Sequence, residues 1–597
     1  MLPASLAQGY LRASVMKIMR LPSVVSLAAQ SRHVFGRFPW TMAAAVIAAV
    51  AAIVATTKSA DAEWSRIAMA AALGLPLTIA LTLLAEDRGW SRASAAGVNL
   101  AGIALLILFY LAWPGPERKH EAIRYFQLSA GLHLLVAFLP FAREPETGAF
   151  WQYNRRLFLG FLRAYVFSQV LFIGLAIALG ALDKLFGVDV PAEIYGRTAL
   201  TIALVVNTAI FLAVVPMNLQ GLANDTEYPR VLKLFSQYIL TPLVFIYLLI
   251  LIAYLVKIVI GGEWPSGWIG WLVTSVAVAG LLGFLLIHPL RDDPDEPWIR
   301  TYSRWLFVGL IPAAIMLLVA FWKRILPYGL TELRLLGVLL GLWLLVIALR
   351  YTVRQRSGIQ LIPFTLAILF LVTSYGPLSV TRLSVSSQGS RLRELVAQSR
   401  AGHRNDREAS AALRFLLDHG ARHQIGSAMR VQLPAVDWAK VQDNRSERDS
   451  TASRIMAAAG MRYLSEHLLA SRTGPVYFSA WRGGAVPISG YDWMMPASPH
   501  GTPAAIIDGD SIHVVFDTIG IARVTAGRDT LSFDLRPLAR ALADSTIAPH
   551  DVAPARMRVH TAAGSVRGML ALEGLNGQWE GDSLRIYGWQ GTLFLDR

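Results

Sequence analysis

The chain has 597 residues, 54% of them hydrophobic and 16% charged, with a formal net charge of +15 and no cysteine. So apolar a composition excludes an ordinary soluble enzyme. The missing thiols exclude disulfides, thiolate zinc sites, iron–sulfur clusters and cysteine-attached haem.

The first 38 residues read as a cytoplasmic segment. Arg12, Lys17, Arg20, Arg32 and Arg37 interrupt any apolar core, so the segment does not read as a signal peptide. Met19 offers an alternative start, and residues 23–35 fit an interfacial helix capped by Ser23.

From there eleven apolar stretches follow, at 40–56, 65–85, 94–113, 122–141, 157–182, 198–219, 236–260, 266–289, 303–322, 333–350 and 358–379. Most are long enough to cross a hydrocarbon core of roughly 30 Å. Tryptophans such as Trp40, Trp90, Trp113, Trp151, Trp298 and Trp322 sit near their ends, as an interfacial aromatic belt requires. The sequence therefore predicts an α-helical polytopic membrane domain of about eleven helices over residues 39–380. With the N-terminus inside, the cytoplasmic loops carry the larger share of Lys and Arg. An odd number of spans then leaves the C-terminus outside a bacterial cytoplasmic membrane.

No Asp or Glu lies in the middle of a stretch, which argues against a buried-carboxylate proton pump. The polar groups that do lie within the spans define a candidate path or binding set. His133 and Asn207 fall near mid-span, and Gln169 about halfway along the fifth. Arg163 and Lys257 lie near span ends, where snorkelling accounts for them. Pro216 and Pro242 are read as kinks near the inner ends of spans six and seven, with Asn218 and Thr241 beside them.

Three loops are informative. Between spans nine and ten, Gly329 can end one helix in a positive φ, Thr331 can cap the next, and Glu332 faces its N-terminal dipole. Together with Tyr328, these residues could also hold an anionic headgroup. The acidic run Asp292–Pro297 lacks the spacing of a calcium loop and reads as solvated. Asp61-Ala62-Glu63 resembles the acidic pair of membrane glycosyltransferases that use lipid-linked sugars, but in a far shorter first loop.

Beyond residue 380 the long apolar runs stop. Ser384–Gln388 reads as a polar hinge. An extracytoplasmic helical segment is expected over 381–474, with helices near 389–400, 406–419 and 448–470. A β-rich domain is expected over 475–597, its strands near 476–478, 512–516, 531–535, 557–559, 566–572, 584–586 and 592–595. Gly581-Asp582 would supply a turn of an antiparallel sheet, and a short helix at 536–544 would pack on it. The soluble part is thus an α+β domain. It carries no hydrolase elbow, zincin motif, P-loop or dinucleotide fingerprint. His419 and His423 are separated by the helix-breaking Gly420, so neither a metal nor another cofactor is expected. Basic and acidic residues nearly balance there, and no recognition motif is present, so no nucleic acid is expected as a partner.

Several short pieces taken in order resemble a family catalogued as domain of unknown function 4153. They are Arg37-Phe38-Pro39, Tyr153-Asn154-Arg155-Arg156, Tyr238 to Tyr254, Gly267-Trp268 and Tyr328-Gly329-Leu330-Thr331-Glu332. In the soluble part they are Ser489-Gly490-Tyr491-Asp492, Phe533-Asp534-Leu535 and Gly581-Asp582-Ser583-Leu584. The resemblance implies a bacterial multi-span membrane protein and brings no catalytic role. The expected function is that of a non-enzymatic transporter-like or scaffold protein of the envelope. Its expected partners are membrane lipids and a protein bound through residues 381–597. A sensor acting through a separate partner, and a glycosyl- or lipid-transferring enzyme using Asp61 and Glu63, are the alternatives.

Overall fold

A computed structural model of the chain describes residues 32–57, 62–116, 118–142, 147–225, 227–261, 269–354, 358–403, 405–465, 475–480, 488–499, 505–507, 510–517, 520–526, 529–543, 552–580 and 583–596. The interfacial helix expected at 23–35 lies mostly outside these residues, and Asp61, Gly267-Trp268 and the Gly581-Asp582 turn lie wholly outside them. The chain divides into two compact units, Met1–Ser387 and Gln388–Arg597.

The first unit is helical. Its helices are α1 (Pro39–Ala55), α2 (Ala62–Asp87), α3 (Arg92–Ala112), α4 (Lys119–Phe138), α5 (Thr147–Phe186), α6 (Ala192–Thr201), α7 (Asn207–Leu212), α8 (Arg230–Leu234), α9 (Thr241–Gly261), α10 (Ile269–Ile287), α11 (Pro297–Tyr328), α12 (Glu332–Val353) and α13 (Leu361–Ser374). Two π turns join pieces of one rod: Ile202–Val206 between α6 and α7, and Phe235–Leu240 between α8 and α9. Counting each joined rod once, nine helices among the described residues are long and apolar enough to cross a membrane. α1 and α13 are shorter and apolar, and coincide with the first and last expected stretches.

Packing in this unit relies on small residues, which let backbones approach where no hydrophobic drive separates helix from lipid. A Cβ at Gly337 would lie 2.1 Å from the Phe321 ring, which brings α12 against α11. One at Gly131 would lie 2.8 Å from Leu371, where α4 meets α13. There the Gln127 amide also donates to Thr373 Oγ1 at 2.9 Å. On α5 the residues Gly160, Ala164 and Ser168 recur every four positions and are buried between exposed apolar neighbours.

Two sequence expectations fail here. Span six does not run to residue 219: helix α7 ends at Leu212, so Pro216 lies beyond the helix and kinks nothing. The Ser384–Gln388 hinge does not exist either, because Val380–Arg400 is one continuous helix, α14. Ser384 and Gln388 are buried in it, and four polar residues among five do not break a helix that has such a face to bury.

The second unit continues with α15 (Asp406–Asp418), α16 (Arg422–Met429), α17 (Trp438–Asp443) and α18 (Arg445–Ala458). Asn444 caps α18 by accepting from the Ser446 and Glu447 amides at 2.8 and 3.3 Å. α18 stops at Ala458, well short of the expected 470, and Gly460 follows at φ +73°. Among the described residues nine strands then build two antiparallel sheets: β1 (Pro475–Ser479), β2 (Trp493–Ala497), β3 (Ala505–Ile507), β4 (Asp510–Phe516), β5 (Ile521–Ala526), β6 (Asp529–Asp534), β7 (Arg558–Ala563), β8 (Val566–Glu580) and β9 (Ser583–Asp596). One sheet runs β1-β8-β9-β2 with β7 added to β8; the other runs β3-β4-β5-β6. The two stretches expected at 584–586 and 592–595 are one strand. Leu531 and Phe533 of one sheet pack with Leu570, Leu593 and Leu595 of the other, and helix α19 (Arg536–Ala543) adds Ala539 and Leu542 to that core.

Candidate functional site

The motif residues of the first unit form one polar lock. Tyr153 is fully buried and donates to the Val136 carbonyl at 2.8 Å, while the Asn154 amide reaches Ala137 O at 3.1 Å. Arg155 and Arg156 both reach Asp225 Oδ2, at 3.1 and 2.8 Å. Arg155 also donates to Glu227 O at 2.7 Å, and Gln152 to Asp225 O at 2.7 Å. Burial alone would raise the Asp225 pKa, but the Glu227 amide and the two guanidiniums hold it below the ordinary carboxylate range. Arg37 makes a bidentate pair with Glu86, at 2.8 and 2.7 Å, and donates to the Val215 and Pro216 carbonyls. Pro216 thus serves as an acceptor where it was expected to be a kink. Most of these groups satisfy one another, with Arg155 Nε and Gln152 Oε1 left buried without a partner, and the many fixed ion pairs suit a structural lock.

The π turns differ. A π turn widens the helix and leaves backbone and side chains off the i→i−4 ladder, and such turns concentrate at functional positions. Asn207 directly follows the first, and its Oδ1 is buried without a hydrogen-bond partner. Helices α1 and α5 pack against this turn, and α5 carries Ser168, whose buried hydroxyl likewise has no partner. The second turn holds Gln237, 6% exposed, with Thr241 and Pro242 just after it. Pro242 brings no N–H, which relaxes the ladder at this junction. Gln237 Nε2, Thr241 Oγ1 and the Tyr302 hydroxyl of α11 are all buried and outside normal hydrogen-bond geometry, with Tyr302 facing Thr241 and Gln237 facing the Glu296 carboxylate. Gly283 of α10 keeps the slot open: a Cβ there would come to 3.9 Å of the Tyr302 hydroxyl and 3.6 Å of Leu240. Beside it Lys233 meets Glu296 at 2.5 Å, and the Trp298 indole donates to the same carboxylate at 2.7 Å. These two donors hold the Glu296 pKa below its usual range. The acidic loop is therefore not merely solvated; Glu296 joins the start of α11 to α8.

Buried polar atoms without partners are rare, and each costs roughly 1–3 kcal/mol. Such atoms occur elsewhere in the chain as well, but those beside the two π turns give hydrogen-bonding capacity for a small polar solute or for water.

The residues expected from sequence are dispersed. His133, Arg163 and Lys257 are exposed on the surface of the first unit, and His133 Nδ1 is paired locally with the Ser129 carbonyl at 2.7 Å. Asn207 alone reaches a π turn. Tyr328, Thr331 and Glu332 share one loop, where Gly329 adopts φ +69° and Arg334 stacks over the Tyr328 ring while donating to Gly329 O at 2.9 Å. Glu332 is buried there. Thr331 takes the N-cap position, but its hydroxyl accepts no cap hydrogen bond. Glu63 accepts the Tyr110 hydroxyl at 2.8 Å. A cavity of about 420 Å³ between α1, α2 and α3, bounded by Trp40, Ile67, Gly74 and Tyr110, is almost wholly apolar and offers no polar recognition. Among the described residues no group of three or more His, Asp or Glu is gathered to hold a metal.

Sequence reasoning missed Gln237, Thr241 as a site residue, Tyr302 and Ser168. The spacing Gly160/Ala164/Ser168 and the Thr241-Pro242 step were the available signals.

Comparison with known proteins agrees with this architecture and leaves the chemistry open. An uncharacterized protein of Pasteurella multocida is 24% identical over 311 residues, which cover 51% of each chain. The chain thus spans about half the length of that relative. No solved structure matches. A family described as Domain of unknown function (DUF4153) matches residues 41–399, more than half of the sequence, and the chain belongs to that family.

Proposed function

We propose that the first unit is a non-enzymatic, transporter-like membrane domain of the bacterial envelope. Its polar path passes the two π turns. The observation that carries this reading is the set of buried polar atoms Asn207 Oδ1, Gln237 Nε2, Thr241 Oγ1 and Tyr302 OH, none of which makes a hydrogen bond of normal geometry. A rod with a π turn can shift between two hydrogen-bond registers at small cost, and a transport cycle needs such a hinge. The Lys and Arg distribution supports a cytoplasmic N-terminus and an extracytoplasmic C-terminal unit. That unit, a helical part to about residue 474 followed by a β-rich part, would bind an envelope partner.

The chain has no cysteine, so single-cysteine scanning needs no prior background removal. Asn207→Cys and Thr241→Cys are treated with a membrane-impermeant maleimide in sealed vesicles of each orientation. Tyr328→Cys is the exposed loop control, and Ile177→Cys, on the apolar exposed face of α5, is the lipid control. Labelling at 207 and 241 with none at 177 is expected. If 207 and 241 stay unlabelled from both sides while 328 labels, there is no aqueous path and the reading fails. The side from which 328 labels gives the orientation.

A further inference from the structure

The second unit holds a different kind of cavity, about 550 Å³ in volume, on one face of the β1-β8-β9-β2 sheet. That size is ordinary for a small-molecule site. Its geometry comes from register. The β8–β9 pairing slips between Leu572 and Gly574 and again between Asn576 and Gly577. Between the slips the pairs are Gly574–Gln590, Leu575–Trp589 and Asn576–Gly588. Leu575 and Trp589 are buried in the inter-sheet core, so strand alternation puts Gly574, Asn576, Gly588 and Gln590 on the opposite face.

Two of those four are glycines, and they form a floor without side chains. The space above them is used. A Cβ at Gly574 would sit 3.5 Å from the Tyr477 hydroxyl, and one at Gly588 would sit 3.6 Å from the Asn576 amide nitrogen. Tyr477 lies opposite Asn576 in the β1–β8 pairing, and half its surface is exposed. The Asn576 amide oxygen is buried and has no hydrogen-bond partner. Glu573 and Gln590 are exposed at the sides, and Ser498 closes the end next to β2.

We propose that this face binds a neutral saccharide of one or two sugar rings. The lining combines an aromatic ring, two carboxamides, a carboxylate and a hydroxyl, which together accept and donate to several hydroxyl groups around a flat apolar sugar face. Among the described residues no Lys, Arg or His lines it, which disfavours phosphate and other anions. The cavity lies on the face of the sheet and not along an edge, so it does not add a peptide strand. The inference is independent of any transport role for the first unit.

The test uses the full chain in nanodiscs and ligand-observed NMR: proton saturation transfer with cellobiose and N,N′-diacetylchitobiose, and 31P line broadening with inorganic phosphate as the anion probe. Saturable binding of at least one disaccharide is expected. Gly588→Val, which fills the floor, and Tyr477→Ala, which removes the wall, should each weaken it by about tenfold or more. Tyr477→Ala removes a half-exposed ring on an edge strand, so it keeps the test decisive if Gly588→Val disturbs folding. No saturable disaccharide binding by the wild type, binding unaltered in Tyr477→Ala, or binding of phosphate in place of sugar would each overturn the proposal.

Discussion

Removing the Asp225 carboxylate should unfasten the lock that ties α5 to the loop before α8. The Arg155 side chain is 6% exposed and that of Arg156 is 41% exposed, and both reach the same oxygen. In Asp225→Ala, Arg156 can turn to water and loses about 1 kcal/mol or less. Arg155 cannot, and keeps the Glu227 carbonyl and the face of the Trp151 ring. Breaking a buried pair from one side costs about 3–5 kcal/mol, and the retained carbonyl puts the expected loss near the lower limit, about 3 kcal/mol. Asp225→Asn keeps an oxygen for the Glu227 amide, now 3.0 Å away, and should cost about 2 kcal/mol, the worth of hydrogen bonds to a charged group. Reversible unfolding in mixed micelles of sodium dodecyl sulfate and dodecyl maltoside, followed by far-ultraviolet circular dichroism, measures both. The pH dependence has a definite sign. The folded pKa lies below the ordinary 3.8, so the stabilisation is complete above that value and fades as pH falls through the lower folded value. Asp225→Asn should flatten this acid limb. An Asp225→Ala protein within about 0.5 kcal/mol of wild type, the range of ordinary surface changes, would refute the lock. So would an Arg156→Ala protein that loses as much as Asp225→Ala.

Three further outcomes follow from packing and unpaired atoms. Gly337→Leu should destabilise the first unit by about 1–3 kcal/mol through overpacking on Phe321, and Phe321→Ala in the same chain should recover part of it; the mixed-micelle assay reads both. Asn207→Leu replaces an unpartnered buried acceptor, so stability should be unchanged or raised by up to about 1 kcal/mol, while any cellular phenotype of the protein is lost per molecule; a destabilised protein would mean that Asn207 is bonded after all. Asn444→Ala should cost the second unit about 1 kcal/mol by uncapping α18, seen as a lower thermal midpoint, and Asn444→Ser should restore most of it.

What the sequence made legible follows the range of the physics involved. Apolar length and loop charge are local, so the helical membrane unit could be read directly, and so could α19 and most strands from their alternation. Strands β2, β3 and β5 escaped: Trp493–Ala497 ends in a proline-containing stretch, Ala505–Ile507 is only three residues long and Ile521–Ala526 carries Arg523 on its exposed side, and their strand character comes from neighbours across the ladder. Propensity also misplaced the end of α18, because Gly460 sets a stop that periodicity does not register. The functional residues were the hardest to see. His133, Arg163 and Lys257 attract notice because a polar residue in an apolar run is conspicuous, yet each can be served at the surface of the helix or by its own backbone. Gln237, Thr241 and Tyr302 look unremarkable one at a time. Their meaning depends on two rods meeting so that Tyr302 faces Thr241 beside the π turn, and that is a property of tertiary placement. The family motifs behave in the opposite way. Tyr153 to Arg156 stand out as a run, and the structure spends them on Val136, Ala137, Asp225 and Glu227. A motif can thus mark where a fold is fastened and not where a ligand is exchanged.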